Sequence, residues 1–150
     1  MIILIRTNSD NKDFIELVKY LDAELAERDG DEYSFYAQFN KLDKIKHVVV
    51  AYENDKPIGC GALKEYNSNT VEIKRMYTLT ESRGTGIATK VLTELEIWAK
   101  ELLYKKCVLE TGKRQPEAIA LYQKKGYKHI PNYGQYTVVE NSICFEKEIE

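Results

Sequence analysis

The chain has 150 residues, of which 43% are hydrophobic and 31% are charged, and its formal net charge is -2 at pH 7. This length and composition indicate one globular domain with a buried core and argue against a disordered chain. The slightly acidic total argues against a generally basic nucleic-acid-binding protein, and no apolar run approaches the ~20 residues that span a membrane.

Apolar periodicity and turn residues predict seven strands and four helices. In chain order these are a strand over 2–6, helices over 10–27 and 33–42, strands over 47–53, 57–65 and 70–78, a helix over 84–103, a strand over 106–110, a helix over 116–125, and strands over 127–130 and 142–147. Ser9 or Asp10 is expected to cap the first helix, and Gly126 is expected to end the last.

The three cysteines, Cys60, Cys107 and Cys144, are scattered through apolar segments and include no CxxC pair. This pattern predicts reduced, buried thiols and no metal site. The reduced thiols indicate a cytoplasmic protein. The opening apolar run lacks a basic leader and a small-residue cleavage site, so we expect no signal peptide.

Charge is unevenly distributed along the chain. Residues 22–32 contain six acids against Arg28 alone, whereas residues 74–128 contain twelve Lys or Arg against six Glu. The central half is therefore suited to a polyanionic small ligand. The alternative is a set of solvated faces with an accidental bias.

The segment Thr80-Glu-Ser-Arg-Gly-Thr-Gly-Ile-Ala88 joins a predicted strand to an amphipathic helix. Gly84 and Gly86 permit a sharp turn that leaves backbone N–H groups uncovered at a helix start, where the helix dipole favours an anion. Arg83 adds a positive charge. We therefore predict a phosphate site, and a pyrophosphate suits it best.

Known phosphate loops differ in how well they fit this segment. A Walker A loop would need a Lys-Ser/Thr pair that is missing, and a dinucleotide fingerprint fails because residue 89 is Thr. The acyl-coenzyme A loop, Gln/Arg-x-x-Gly-x-Gly/Ala, is satisfied by Arg83, Gly86 and Ala88. A glycine turn that binds nothing is the remaining alternative.

A second motif, Ala118-Ile-Ala-Leu-Tyr-Gln-Lys-Lys-Gly-Tyr127, follows one strand later. With both motifs in this order, the chain resembles the GNAT superfamily of N-acetyltransferases over its whole length. The resemblance implies a single α/β (α+β) domain over 1–150, with a twisted, mixed, mostly antiparallel sheet of about seven strands and about four helices. It also implies acetyl-coenzyme A as co-substrate and no metal.

The resemblance implies roles for individual residues. The backbone of Met76, Tyr77 and Thr78 would pair with the pantetheine arm. The pyrophosphate would be held by Arg83, Gly84, Thr85, Gly86, Ile87, Ala88 and Thr89. Tyr122 would be the general acid, and either Glu72 or Glu110 the general base. Gln115 stands where the family often has an Asn that touches the cofactor.

The implied activity is direct acetyl transfer, through a tetrahedral intermediate, to a primary amine of a small molecule. A tyrosine of pKa about 10 stays protonated at pH 7 and can donate to a thiolate of pKa roughly 8.5, which suits Tyr122. The alternatives are a non-catalytic acyl-coenzyme A sensor, a protein N-terminal or lysine acetyltransferase, and a nucleotide-binding interaction domain.

The sequence gives only general indications of the acceptor and of other partners. Acids between residues 22 and 32 favour a cationic acceptor, with a solvated acidic helix end as the alternative. The tyrosine-rich stretch over 133–136 is a second candidate acceptor wall, or a contact in a homodimer. We expect no nucleic-acid partner and no membrane partner.

Overall fold

The computed structural model describes residues 1–29 and 44–149. Its strands are β1 (Ile2–Thr7), β2 (His47–Glu53), β3 (Lys56–Asn67), β4 (Thr70–Thr78), β5 (Lys106–Gly112), β6 (Lys128–Ile130) and β7 (Ser142–Glu148). They form one sheet in the order β1-β2-β3-β4-β5-β7-β6, and every neighbouring pair is antiparallel except β4 and β5. The predicted mixed, mostly antiparallel sheet of seven strands is confirmed.

Helices cover both faces of this sheet. In the described ranges they are α1 (Lys12–Asp29), α2 (Ile87–Glu101) and α3 (Pro116–Lys124). Phe14, Leu17 and Val18 recur at helical spacing on α1 and pack into a core cluster on one face. Val91 and Leu95 of α2 belong to a second cluster. Alternate residues of β2 enter the two clusters, so the clusters lie on opposite faces of the sheet.

The starts of two helices differ from the prediction. Asn11, rather than Ser9 or Asp10, caps α1, because its Oδ1 accepts a hydrogen bond of 2.9 Å from the Phe14 N–H. The helix α2 begins at Ile87 rather than at residue 84, since the two loop glycines have the positive φ angles that a right-handed helix excludes. The predicted helix over 33–42 lies outside the described residues.

The end of α2 offers a stability prediction. Leu103 is 83% exposed and has φ 70°, and the Tyr104 N–H donates to the Ala99 carbonyl oxygen, as in a Schellman motif. Because glycine tolerates this left-handed conformation, Leu103→Gly should raise the free energy of unfolding by about 0.5–1 kcal/mol. Thermal unfolding measures the gain.

Leu102→Gly is the matched control, because Leu102 precedes Leu103 and has φ -81°. Glycine relieves no strain there and loses more conformational freedom on folding, so this variant should be less stable than the parent. Equal losses in the two variants would contradict the assigned strain at Leu103.

Candidate active site

The parallel strands β4 and β5 pair over only a short stretch. The pairing ends where Glu72 lies opposite Val108, although β4 continues to Thr78 and β5 to Gly112. β5 instead stays paired with β7 over its full length. The two strands therefore part after Glu72 and leave a gap within the sheet.

A cavity of about 400 Å³ opens in this gap. α1 contributes Leu21 and Leu25 to its wall, and the segment between β6 and β7 contributes Tyr136. The predicted site residues in the wall are Glu72, Met76, Tyr77, Thr78, Arg83, Gly84, Gly86, Ile87, Ala88, Thr89, Glu110, Gln115 and Tyr122. The predicted residue Thr85 does not line the cavity, and its hydroxyl donates to the Ser82 carbonyl oxygen at 2.7 Å.

A bulge in β4 shapes the cavity wall. The register shifts between Cys60 and Ala62 of β3, so that Arg75 and Met76 of β4 oppose the single residue Gly61. Arg75 takes φ 58° there. A Cβ on Gly61 would lie 2.5 Å from the Met76 sulfur, so only glycine fits opposite the bulge. Such bulges bend a strand, and here the bend accompanies the parting of β4 from β5.

The glycine loop exposes the start of α2. Gly84 and Gly86 have φ 80° and 85°, and no neighbouring atom lies within 4 Å of a Cβ placed on either residue. Gly86 is the N-cap residue of the helix and has no side chain that could cap the first N–H groups. Open N–H groups and the positive end of the helix dipole form a site for an anion.

Arg83 is engaged within the protein. Its Nε donates to the Thr78 carbonyl oxygen at 2.9 Å, and an Nη donates to Glu24 Oε2 at 2.7 Å. Its guanidinium lies 5.5 Å from the Tyr77 ring centroid. Arg83 therefore ties the loop to α1 and to the end of β4, and Glu24 offsets its charge.

Tyr122 is buried on α3 and lines the cavity. The Tyr127 N–H donates to the Tyr122 carbonyl oxygen at 3.0 Å across the helix end, which fixes the backbone there. No hydrogen bond to the Tyr122 hydroxyl forms among residues 1–29 and 44–149. Burial raises the pKa of Tyr122, and the charge of Glu110 raises it further, so the phenol is protonated at neutral pH.

The two candidate bases lie on either side of the gap. Glu110 on β5 accepts a 2.7 Å hydrogen bond from the Ser142 hydroxyl. Glu72 on β4 is buried and accepts a 2.6 Å hydrogen bond from the Tyr133 hydroxyl. Lys74 places its Nζ 3.7 Å from the other Glu72 oxygen, and burial lowers the pKa of this lysine.

Two kinds of feature are absent from the described part of the chain. None of its helices combines the length and the apolar character needed to cross a membrane. None of its groups of three or more His, Cys, Asp or Glu side chains is arranged so that it could hold a metal ion.

The sequence and the fold both match known proteins. The family model described as "Acetyltransferase (GNAT) family" matches residues 14–127, which is more than half of the chain. The chain belongs to the GNAT acetyltransferase family. The N-acetyltransferase YjgM of Escherichia coli is 32% identical over 137 residues, which cover 83% of this chain and 80% of that protein.

Solved structures of GNAT proteins share the whole architecture. An acyl-CoA N-acyltransferase of Klebsiella pneumoniae matches with a TM-score of 0.84 at 26% identity, covering 100% of this chain and 99% of the other. A GNAT acetyltransferase of Elizabethkingia anophelis, solved with acetyl-CoA bound, matches with a TM-score of 0.69 at 21% identity over 98% and 97% of the two chains. At that identity the second likeness shows the fold alone.

Two acids of this GNAT acetyltransferase have partners that the sequence did not reveal. Asp22 accepts a 2.7 Å hydrogen bond from the buried Arg75, and Glu24 pairs with Arg83. These two members of the acidic segment therefore hold α1 against the cavity. The acids at positions 31 and 32 lie outside the described residues.

Several residues at the site are not among the predicted ones, including Arg75 in the cavity wall and Ser142, which binds Glu110. Tyr133 is predicted only as part of a possible acceptor wall, with no partner. Arg75, Ser142 and Tyr133 bind residues between 32 and 61 positions away in the chain. No local pattern signals contacts at such separations.

Proposed function

We propose that this chain is an acetyl-coenzyme A-dependent N-acetyltransferase that acetylates a primary amine of a small molecule by direct transfer. The observation that carries the proposal is that a single cavity contains the open start of α2, the Tyr122 phenol and two carboxylates. These groups are what an anionic thioester and an amine need in order to react. Membership of the GNAT family supports the same activity.

The residues present fit acetyl-coenzyme A. The space above Gly84 and Gly86 leaves room for a diphosphate against the N–H groups of α2. The end of β4, from Met76 to Thr78, pairs with β3 on one side but has no strand partner on its β5 side, where its free backbone groups can meet the amides of the pantetheine arm. Gln115 lies at the start of α3 and lines the cavity. Acetyl-coenzyme A supplies the activated acetyl group.

Tyr122 is the proposed general acid. When the amine attacks the thioester carbonyl, the carbon–sulfur bond breaks and the departing sulfur needs a proton. The raised pKa of Tyr122 keeps that proton on the phenol over the neutral range. Glu110 is the carboxylate whose charge acts on Tyr122, so we assign it the task of keeping the acid protonated.

Glu72 is the proposed general base. It is buried at the residue where β4 and β5 part, which places it at the closed end of the gap. An amine of pKa near ~10.4 is mostly charged at neutral pH and must lose a proton before it can attack. Glu72 would accept that proton, either directly or through one water molecule.

A primary amine of modest size is the proposed acceptor. Leu21, Leu25 and Tyr136 bound the cavity beside the carboxylates, so an acceptor meets apolar and aromatic surface next to negative charge. That combination suits an ammonium group on a small carbon skeleton. It supports the expected cationic acceptor, although Asp22 and Glu24 are already paired within the protein.

An acceptor screen tests this function. Release of the coenzyme A thiol would be followed across diamines, amino acids, aminoglycosides and lysine-containing peptides, and calorimetry would compare binding of coenzyme A, ATP and NAD. We expect selective coenzyme A binding and thiol release with small amines. If the thiol is released only with peptides, the acceptor is a protein amine and not a small molecule. If coenzyme A binds but no amine causes turnover, the protein is a sensor.

A further inference from the structure

A tyrosine from outside the two parting strands holds the proposed base. The Tyr133 hydroxyl donates to Glu72 Oε2 at 2.6 Å, within the range of strong, charge-assisted O–H···O⁻ hydrogen bonds. Burial raises the pKa of Tyr133, and the charge of Glu72 raises it further, so the phenol remains a donor at neutral pH.

The segment around Tyr133 is built to hold this ring in place. The Tyr136 N–H donates to the Tyr133 carbonyl oxygen at 2.9 Å in a short 3-10 turn, and Asn132 Nδ2 donates to the Val139 carbonyl oxygen at 3.0 Å. The rings of Tyr66 and Tyr136 meet the Tyr133 ring edge-on, at centroid distances of 5.2 and 5.8 Å. The hydroxyl is therefore aimed at Glu72 by contacts on several sides.

We propose that Tyr133 is a positioning residue of the acetyl transfer: its hydroxyl fixes the Glu72 carboxylate at the closed end of the gap. The inference rests on the proposed function, because it takes Glu72 as the base. Without the Tyr133 bond, one oxygen of a buried carboxylate loses its donor. The protonated, inactive form of Glu72 then becomes easier to populate.

Other titratable groups also face Glu72. From the strands and the segment packed around it these are Lys64 of β3, Lys74 of β4, Glu110 of β5, Cys144 of β7 and Tyr136. Burial raises the pKa of Cys144 to about 11 and also raises the pKa of Tyr136, so neither group ionises near neutral pH. Glu72 and Glu110 are therefore the two carboxylates of this set. A fall in rate at low pH, the acid limb of the pH–rate profile, would arise from them.

The test is the pH dependence of kcat/KM in Tyr133→Phe. Loss of one hydrogen bond to a charged group should move the acid limb upward by about one to two pH units. At a pH on that limb, kcat/KM should fall roughly tenfold or more, and raising the pH should restore most of it. A purely structural role would lower activity without moving the limb.

Two controls make the outcome specific. Tyr66→Phe removes the hydroxyl of the neighbouring ring. That hydroxyl does not bind Glu72, so the pH profile of kcat/KM should be unchanged. In a Glu72→Gln background, Tyr133→Phe should cause no further loss, because no carboxylate remains to be held. Thermal unfolding of each variant confirms that the fold is kept.

The result separates this inference from the proposed function. If Glu72→Gln is slow but Tyr133→Phe keeps the parental acid limb, the positioning role is wrong and the base assignment stands. If Glu72→Gln is as active as the parent, the base assignment is wrong and the inference about Tyr133 is overturned with it.

Discussion

Replacing Tyr122 by phenylalanine should lower kcat by about 10²–10⁴-fold, the usual contribution of a general acid. The phenol supplies the proton that the departing sulfur needs, and phenylalanine fills the same space without that proton. The hydroxyl makes no hydrogen bond within the described ranges, so its removal leaves no group of residues 1–29 and 44–149 without a partner. Coenzyme A affinity, measured by calorimetry, should therefore stay close to that of the parent.

Tyr127→Phe is the matched control for this prediction. The Tyr127 ring meets the Tyr122 ring at a centroid distance of 5.7 Å, but its hydroxyl donates to Glu96 at 2.8 Å and does not line the cavity. Its loss should reduce stability by about 1.5–3 kcal/mol, as for other hydrogen bonds to a charged group, and leave kcat nearly unchanged. A Tyr122→Phe enzyme that turns over as fast as Tyr127→Phe would refute the acid assignment.

The features that the sequence predicts well are local ones. A turn is predicted over 54–56 between the strands that became β2 and β3, and it is present, one residue shorter, as Asn54 and Asp55 with φ angles of 51° and 66°, which these residue types tolerate. Gly126 ends α3 with φ 91°. In both places the residue type and the backbone conformation are set by neighbours in the chain, so a short pattern is enough to identify them.

The features that the sequence does not reveal arise from the assembled sheet. Arg75 takes a left-handed φ that its residue type does not favour. Its position is stabilised by the bulge in β4 and by the ion pair with Asp22, 53 residues earlier. The bond from Tyr133 to Glu72 likewise depends on the fold bringing the segment after β6 across to β4. Such contacts depend on the topology of the fold, so they cannot be predicted from the conformational preferences of single residues.

Gly86→Ala should raise the Kd for coenzyme A by about 10- to 100-fold, which corresponds to losing one or two charge-assisted hydrogen bonds. Gly86 has φ 85° and immediately precedes the first N–H groups of α2, and a methyl group there would take up open space beside this helix start. A phosphate could then no longer approach those groups closely. Calorimetric titration of the variant with coenzyme A measures the loss.

The same substitution at Gly126 separates blocked binding from backbone strain. Gly126 has φ 91°, and its nearest neighbouring atom, on Lys147, would lie 4.0 Å from an added Cβ. Gly126→Ala therefore costs a similar ~1–2 kcal/mol of left-handed strain, but at a residue that does not line the cavity. Both variants should lose stability, and only Gly86→Ala should lose affinity. Equal Kd values for the two would mean that the diphosphate binds somewhere other than this loop.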